Sequence, residues 1–105
     1  MNSRDLNIAR ELKSRLAAQT NLVNFKVYGS RARGDAGESS DLDVFVEVES
    51  LDSQTKERIY ELTWEVGFKN FMVISPIIVS RNELENTALR SSPLICNIAR
   101  DGIAV

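Results

Sequence analysis

The segment Asp41 to Val48, reading DLDVFVEV, constrains this chain more than any other. A strand points successive side chains to opposite faces, so Leu42, Val44, Val46 and Val48 make one apolar face while Asp41 and Asp43 share the other. Two like charges are then held side by side, which costs free energy unless protons or a cation neutralise them. A hard divalent ion such as Mg²⁺, which takes carboxylate oxygens together with substrate phosphates, is their natural counter-ion.

Ten residues separate this pair from an upstream Gly29-Ser30 turn. The turn follows a short apolar strand, Phe25 to Tyr28, and precedes a segment, Ser30 to Arg33, with room for one helical turn. Gly29 lets the backbone approach a ligand, Ser30 offers a hydroxyl and an N–H, and first-turn amides favour anions. Arg31 and Arg33 add positive charge nearby. Gly34 and Gly37 permit a loop that returns the chain, so that the Asp41 strand runs beside the Tyr28 strand.

The complete string GSRARGDAGESSDLDVFV resembles the signature of the polymerase-beta-like nucleotidyltransferase superfamily, and most closely that of its small single-domain minimal nucleotidyltransferases. The resemblance implies a catalytic pair, Asp41 and Asp43, that ligates two Mg²⁺ ions. It assigns the β- and γ-phosphates of ATP or another nucleoside triphosphate to Gly29 and Ser30, and adds Arg31 and Arg33 as nucleotide contacts. It implies transfer of a nucleoside monophosphate, AMP from ATP, to a hydroxyl. Minimal nucleotidyltransferases are often antitoxins paired with a small helical HEPN ribonuclease, neutralised by adenylylation of a tyrosine or by masking, so the resemblance extends to a toxin–antitoxin role with a HEPN-type partner.

The chain departs from that family pattern at one place. A third carboxylate belongs on the strand after the intervening helix, where it helps hold the catalytic metal and accepts the proton of the attacking hydroxyl. Here that strand reads FMVISPIIVS, with no Asp or Glu between Phe68 and Arg81. The nearest stand-in by position, Ser75, cannot serve as an anion. Glu47 lies ~13 Å along the strand from Asp43, too far to share a metal, and Glu83 and Glu85 read as solvated helix-face residues. Two functional readings follow: an active transferase, or a nucleotide-binding or protein-interaction antitoxin module with a degenerate site.

Composition narrows the field. A chain of 105 residues, 43% hydrophobic, makes one domain over residues 1–105 with a single core. A net charge of −2 gives no broad basic field for extensive nucleic-acid binding. The absence of histidine removes Ser-His-Asp and Cys-His nucleophilic sites, His-dependent zinc sites and imidazole bases. The single cysteine, Cys96, sits in an apolar run and reads as a small core residue. The N-terminal segment is charged throughout and no apolar run is long enough to span a bilayer, so the expectation is a cytoplasmic protein.

The remaining elements follow from periodicity and capping. Residues 3–19 predict a helix with Leu6, Ala9, Leu12 and Leu16 at helical spacing and Asn2 or Ser3 as its cap. Asp52 or Ser53 caps a second long helix that Gly67 is expected to end, with Ile59, Leu62 and Val66 as its packing stripe. Tyr60 and Trp64, on a neighbouring face, read as core or interface aromatics. Phe71 to Val79 is apolar on both faces and is therefore expected inside the sheet, with a break or bulge at Ser75-Pro76. Ser80 caps a short helix, and Ser92 with Pro93 starts a last one ending near Gly102. The fold class is α/β (α+β): a small domain with a mixed sheet of three to four strands packed against helices. Apolar surface at Trp64, Tyr60 or Ile103 to Val105 favours a homo-oligomer or a protein partner.

Overall fold

In the computed structural model, which describes residues 1–105, helix α1 (Ser3–Gln19) begins where the Asn2 side chain accepts the Asp5 amide. It buries Ala9, Leu12 and Leu16 as the spacing requires, whereas Leu6 is only half-buried and Ile8 takes its place on the stripe. Strand β1 (Leu22–Tyr28) starts three residues earlier than expected and leads into the one-turn helix α2 (Gly29–Arg33). Strand β2 (Leu42–Val48) then lies antiparallel to β1, pairing Tyr28 with Asp43 and Val27 with Val44. Leu42, Val44, Val46 and Val48 are all fully buried, as the alternation dictates.

Helix α3 (Ser53–Lys69) is capped by the Asp52 carboxylate, which accepts the Thr55 amide at 2.7 Å. Its Ile59, Leu62 and Val66 join α1 and the inner face of the sheet in one core. Gly67 does not end the helix, which continues one residue-pair further to Lys69. Its role is steric: a Cβ there would meet the Met72 carbonyl oxygen at 2.5 Å, because the chain folds back over it after the helix. The Met72 amide donates to the Gly67 carbonyl at 2.8 Å in the same reversal.

Strand β3 (Ile74–Ser80) pairs in parallel with β2, and the sheet order β3-β2-β1-β4 puts it at an edge, not inside. Apolarity on both faces reports two covered faces rather than two lateral neighbours. Ile74 and Ile78 pack toward α1 and α3, while Ile77 and Val79 pack with Phe45 under the C-terminal helices. The edge also admits Pro76 without the expected bulge, since register runs unbroken from Ile74 to Ser80 and an edge strand need not donate outward. Phe71 to Val73 lie outside the strand.

The C-terminal segment covers the opposite sheet face. Helix α4 (Arg81–Asn86) starts with a reciprocal cap between Ser80 and Glu83, a 3₁₀ turn spans Ala88–Ser91, and α5 (Pro93–Asp101) is capped by Ser92. On α5 it is Ile95 and Ile98 that face Phe45 and Val79, so Cys96 is turned outward and exposed, contrary to its reading as core. Strand β4 (Ile103–Ala104) pairs antiparallel with β1 and completes a four-stranded mixed sheet. No helix is long and apolar enough to cross a membrane.

Replacing Gly67 by Ala gains about 1 kcal/mol of helix propensity but drives a methyl into the Met72 carbonyl. Overpacking of this kind costs about 1–3 kcal/mol. The expected outcome is a lower urea midpoint with an unchanged denaturant slope.

Candidate functional site

Three adjacent strands bring the sequence-selected residues together. β1 ends at Tyr28, opposite Asp43 on β2, and Asp43 in turn pairs with Ser75 on β3. Asp41 stands just before β2, on the same side of the chain as Asp43. The Ser75 hydroxyl donates to Asp41 Oδ2 at 2.8 Å. The same sheet face is buried further along, at Phe45, by α5; at Asp43 it is half-open and at Asp41 it is exposed. The C-terminal helices therefore cover one end of this face and leave the carboxylate end accessible.

Gly29 is required here for two reasons. Its φ is +77°, a left-handed conformation that other residues rarely adopt, and a Cβ would lie 2.5 Å from Asp43 Oδ2. The Asp43 carboxylate thus rests against the start of α2, with Ser30 half-buried beside it. Burial first, and then the Asp41 charge, push the Asp43 carboxyl above the ordinary range, with Arg33 acting in the opposite sense. Burial and the Asp43 charge likewise raise the Tyr28 phenol. Tyr28 was not among the residues selected from sequence; its place at the last position of the strand before Gly29 was the available signal.

The two arginines separate. Arg33 is exposed, pairs with Asp35 at 3.2 Å and lies close enough to Asp43 to affect its charge, so its side chain is available on the site's side. Arg31, expected to contact nucleotide, is turned into the protein and only 6% exposed. Its Nη1 donates to both Asp5 oxygens at 3.0 and 3.1 Å, its Nε to the Ser40 carbonyl at 2.7 Å and its Nη2 to the Glu38 carbonyl at 2.9 Å. A guanidinium so engaged keeps no free nitrogen for a phosphate. Asp5 was missed in the sequence, although it stands at helical spacing from Ala9, Leu12 and Leu16 on the buried stripe of α1, where an unpaired acid is not tolerated.

The other acidic residues stay apart. Glu47 is beyond Phe45, where burial pushes its carboxyl up and Arg81 pulls it back. Glu83 is occupied in the α4 cap and Glu85 pairs with Arg81 at 2.9 Å. No cluster of three carboxylate, histidine or cysteine side chains forms anywhere in the chain. The donor set at the open corner is two carboxylates and a hydroxyl, all hard oxygens, which would suit a hard divalent ion such as magnesium.

By fold, the chain is a small α/β domain with an aspartate pair at the open end of a mixed sheet, next to a glycine-led helical turn. The model of the nucleotidyltransferase domain family matches residues 7–101, and the chain belongs to that family. Three solved chains match it in structure. One is a candidate nucleotidyltransferase from Sulfolobus solfataricus, 17% identical, with 99% of this chain and 87% of that chain covered at a TM-score of 0.47. No curated protein matches the chain.

A carboxyl held above its ordinary range binds its proton more tightly in the folded than in the unfolded chain. Its ionisation therefore costs stability at neutral pH, and the cost disappears as pH falls below the ordinary carboxylate range. Asp43→Asn is accordingly expected to raise the thermal midpoint in metal-free buffer at neutral pH, with the gain shrinking in acid. Differential scanning calorimetry across that pH range checks both the sign and the trend.

Proposed function

We propose that the domain binds a nucleoside triphosphate, ATP in the first instance, with magnesium at the Asp41–Asp43 corner and transfers its nucleoside monophosphate to a hydroxyl of a partner protein. The observation that carries this reading is the meeting of Gly29, Asp43 and the Asp41–Ser75 pair across three strands, in a chain of the nucleotidyltransferase family. Asp41 and Asp43 hold the metal. Gly29 and Ser30 receive the β- and γ-phosphates, and Arg33 neutralises phosphate charge from the solvent side. When bound, magnesium offsets the phosphate charge and makes an attacking hydroxyl more acidic. The acceptor we favour is a small helical HEPN-type protein, in keeping with the likeness of the GSRARG and SDLD strings to minimal nucleotidyltransferase antitoxins.

Incubation with α-labelled ATP and a copurified HEPN-type partner is expected to give label transfer that needs Mg²⁺ and is abolished in the Asp41→Asn, Asp43→Asn double variant. Transfer that survives the double change sinks the reading. Calorimetry with a non-hydrolysable ATP analogue is expected to show binding that depends on both Mg²⁺ and the aspartate pair.

A second reading is favoured by one observation: the β3 position paired with Asp43 is Ser75, so the place of a third carboxylate is filled by a hydroxyl that donates to Asp41. On this reading the domain binds nucleotide and neutralises its partner by contact, with little or no turnover. Ser75→Asp separates the two. A restored acid next to Asp43 is expected to tighten Mg²⁺ binding and to raise the transfer rate, on the order of 10²-fold where proton removal limits it. Neutralisation lost in a folded Asp41→Asn, Asp43→Asn variant would count against the contact-only reading.

A further inference from the structure

The outer side of α3 carries an apolar surface that the carboxylate corner does not use. Tyr60, Trp64 and Phe68 recur every four residues and form one stripe. Trp64 and Phe68 stack, with ring centroids 5.0 Å apart and planes 14° from parallel. Phe71 and Val73 continue the surface toward β3, and Met72 and Ile74 line the shallow groove between. Of the charged residues on the same helix, Glu65 pairs with Arg15 and Lys69 with Glu11, both on α1, while the exposed Lys56, Glu57 and Glu61 border the stripe toward its N-terminal end.

The area decides that this is more than scattered exposure. Tyr60, Trp64, Phe68 and Phe71 are 48, 66, 71 and 94% exposed, and Val73 is 67% exposed. At about 200 Å² per aromatic side chain the rings leave roughly 550 Å² in water, and Val73 brings the surface to roughly 650 Å². The largest apolar patch on an ordinary monomer is about 300–600 Å². One side of a standard interface is about 800 Å².

Two further features lie at the same place. Phe71 has a φ of +53°, a left-handed conformation uncommon for an aromatic residue, and it holds the ring out in water. Beside it runs the open edge of β3, which from Ile74 to Ser80 has no charged residue and only Pro76 to discourage pairing. A strained aromatic and an unguarded edge both gain from cover.

We propose that this face joins two copies of the chain about a two-fold axis. A second copy fits because a two-fold contact lays a surface on itself, so that the aromatic centre meets its own copy and Lys56, Glu57 and Glu61 fall at the polar rim. With a polar rim, its area reaches what one side of a stable dimer supplies. The dimer also bears on the carboxylate corner. The Val73 carbonyl accepts the Leu42 amide at 2.9 Å, and Ser75 is two residues further on, so the partner surface arrives at the rim of the Asp41–Asp43 pair and walls one side of it.

Sedimentation equilibrium and light scattering of the full chain are expected to give twice the 11.8 kDa chain mass. Trp64 is the only tryptophan, so its emission is expected to move to longer wavelength as the dimer dissociates on dilution. Trp64→Glu with Phe68→Ser is expected to give a folded monomer by far-ultraviolet circular dichroism. Should that variant not fold, Phe71→Asp, at a position outside the core, gives the same readout. A wild-type chain that is monomeric at every concentration overturns the proposal and assigns the face to a different protein; a dimer that persists in the folded variants overturns it equally.

Discussion

The buried ion pair between Arg31 and Asp5 is the interaction on which the carboxylate corner depends. Two charges removed from water cost several kcal/mol each unless geometry and further hydrogen bonds compensate. Here both conditions are met: both Asp5 oxygens are engaged, and the remaining guanidinium N–H groups are taken by backbone carbonyls of Glu38 and Ser40. No buried side-chain polar atom in the chain lacks a partner. The pair ties α1 to α2 and, through those carbonyls, fixes the returning loop that delivers Asp41. A loop containing Gly34 and Gly37 has little rigidity of its own. Its position is imposed from inside by one arginine.

This explains which parts of the molecule could be read from the chain. The inner face of β2 and the buried stripe of α1 were legible because strand and helix periods map directly onto burial. The caps at Ser80 and Ser92 were legible, and those at Asn2 and Asp52 to within one residue, because a short polar side chain before an apolar run has one dominant use. The direction of Arg31 was not. An arginine directly after a Gly-Ser turn can face a ligand or the interior, and only the buried acid on another helix decides. The edge position of β3 was equally hidden, since burial of both faces does not determine the number of lateral neighbours. Cys96 was misread because the run around it is apolar on one helical face and Cys96 falls on the other.

At the carboxylate corner, local chemistry opposes stability. Asp43 is partly desolvated beside Asp41 and pressed against the Gly29 backbone, and its carboxyl is held above its ordinary range as a result. A chain selected for stability alone would not keep that arrangement. The Ser75 hydroxyl moderates it, since donation to Asp41 stabilises an anion without adding a third negative charge to the pair. A carboxylate at that position would bind a cation more strongly and repel its neighbours more strongly in the cation's absence. Serine therefore leaves the aspartate pair under less repulsion than a third carboxylate would impose.

Helix α3 couples the two open regions of the domain. Its inward residues Ile59, Leu62 and Val66 anchor it to the sheet, and the reversal over Gly67 carries the chain from the aromatic face straight into β3. Within five residues the chain passes from Phe71, on the apolar surface, to Ser75, bonded to Asp41. The parallel pairing of β3 with β2 makes this connection stiff, since Leu42 donates to Val73 and the register then holds without a shift through Ser80. Cover on the aromatic face consequently restrains the strand that carries Ser75. Any macromolecule bound there is held beside the aspartate pair, so under the proposed transfer the geometry of that contact, more than the carboxylates themselves, sets which hydroxyl can approach them.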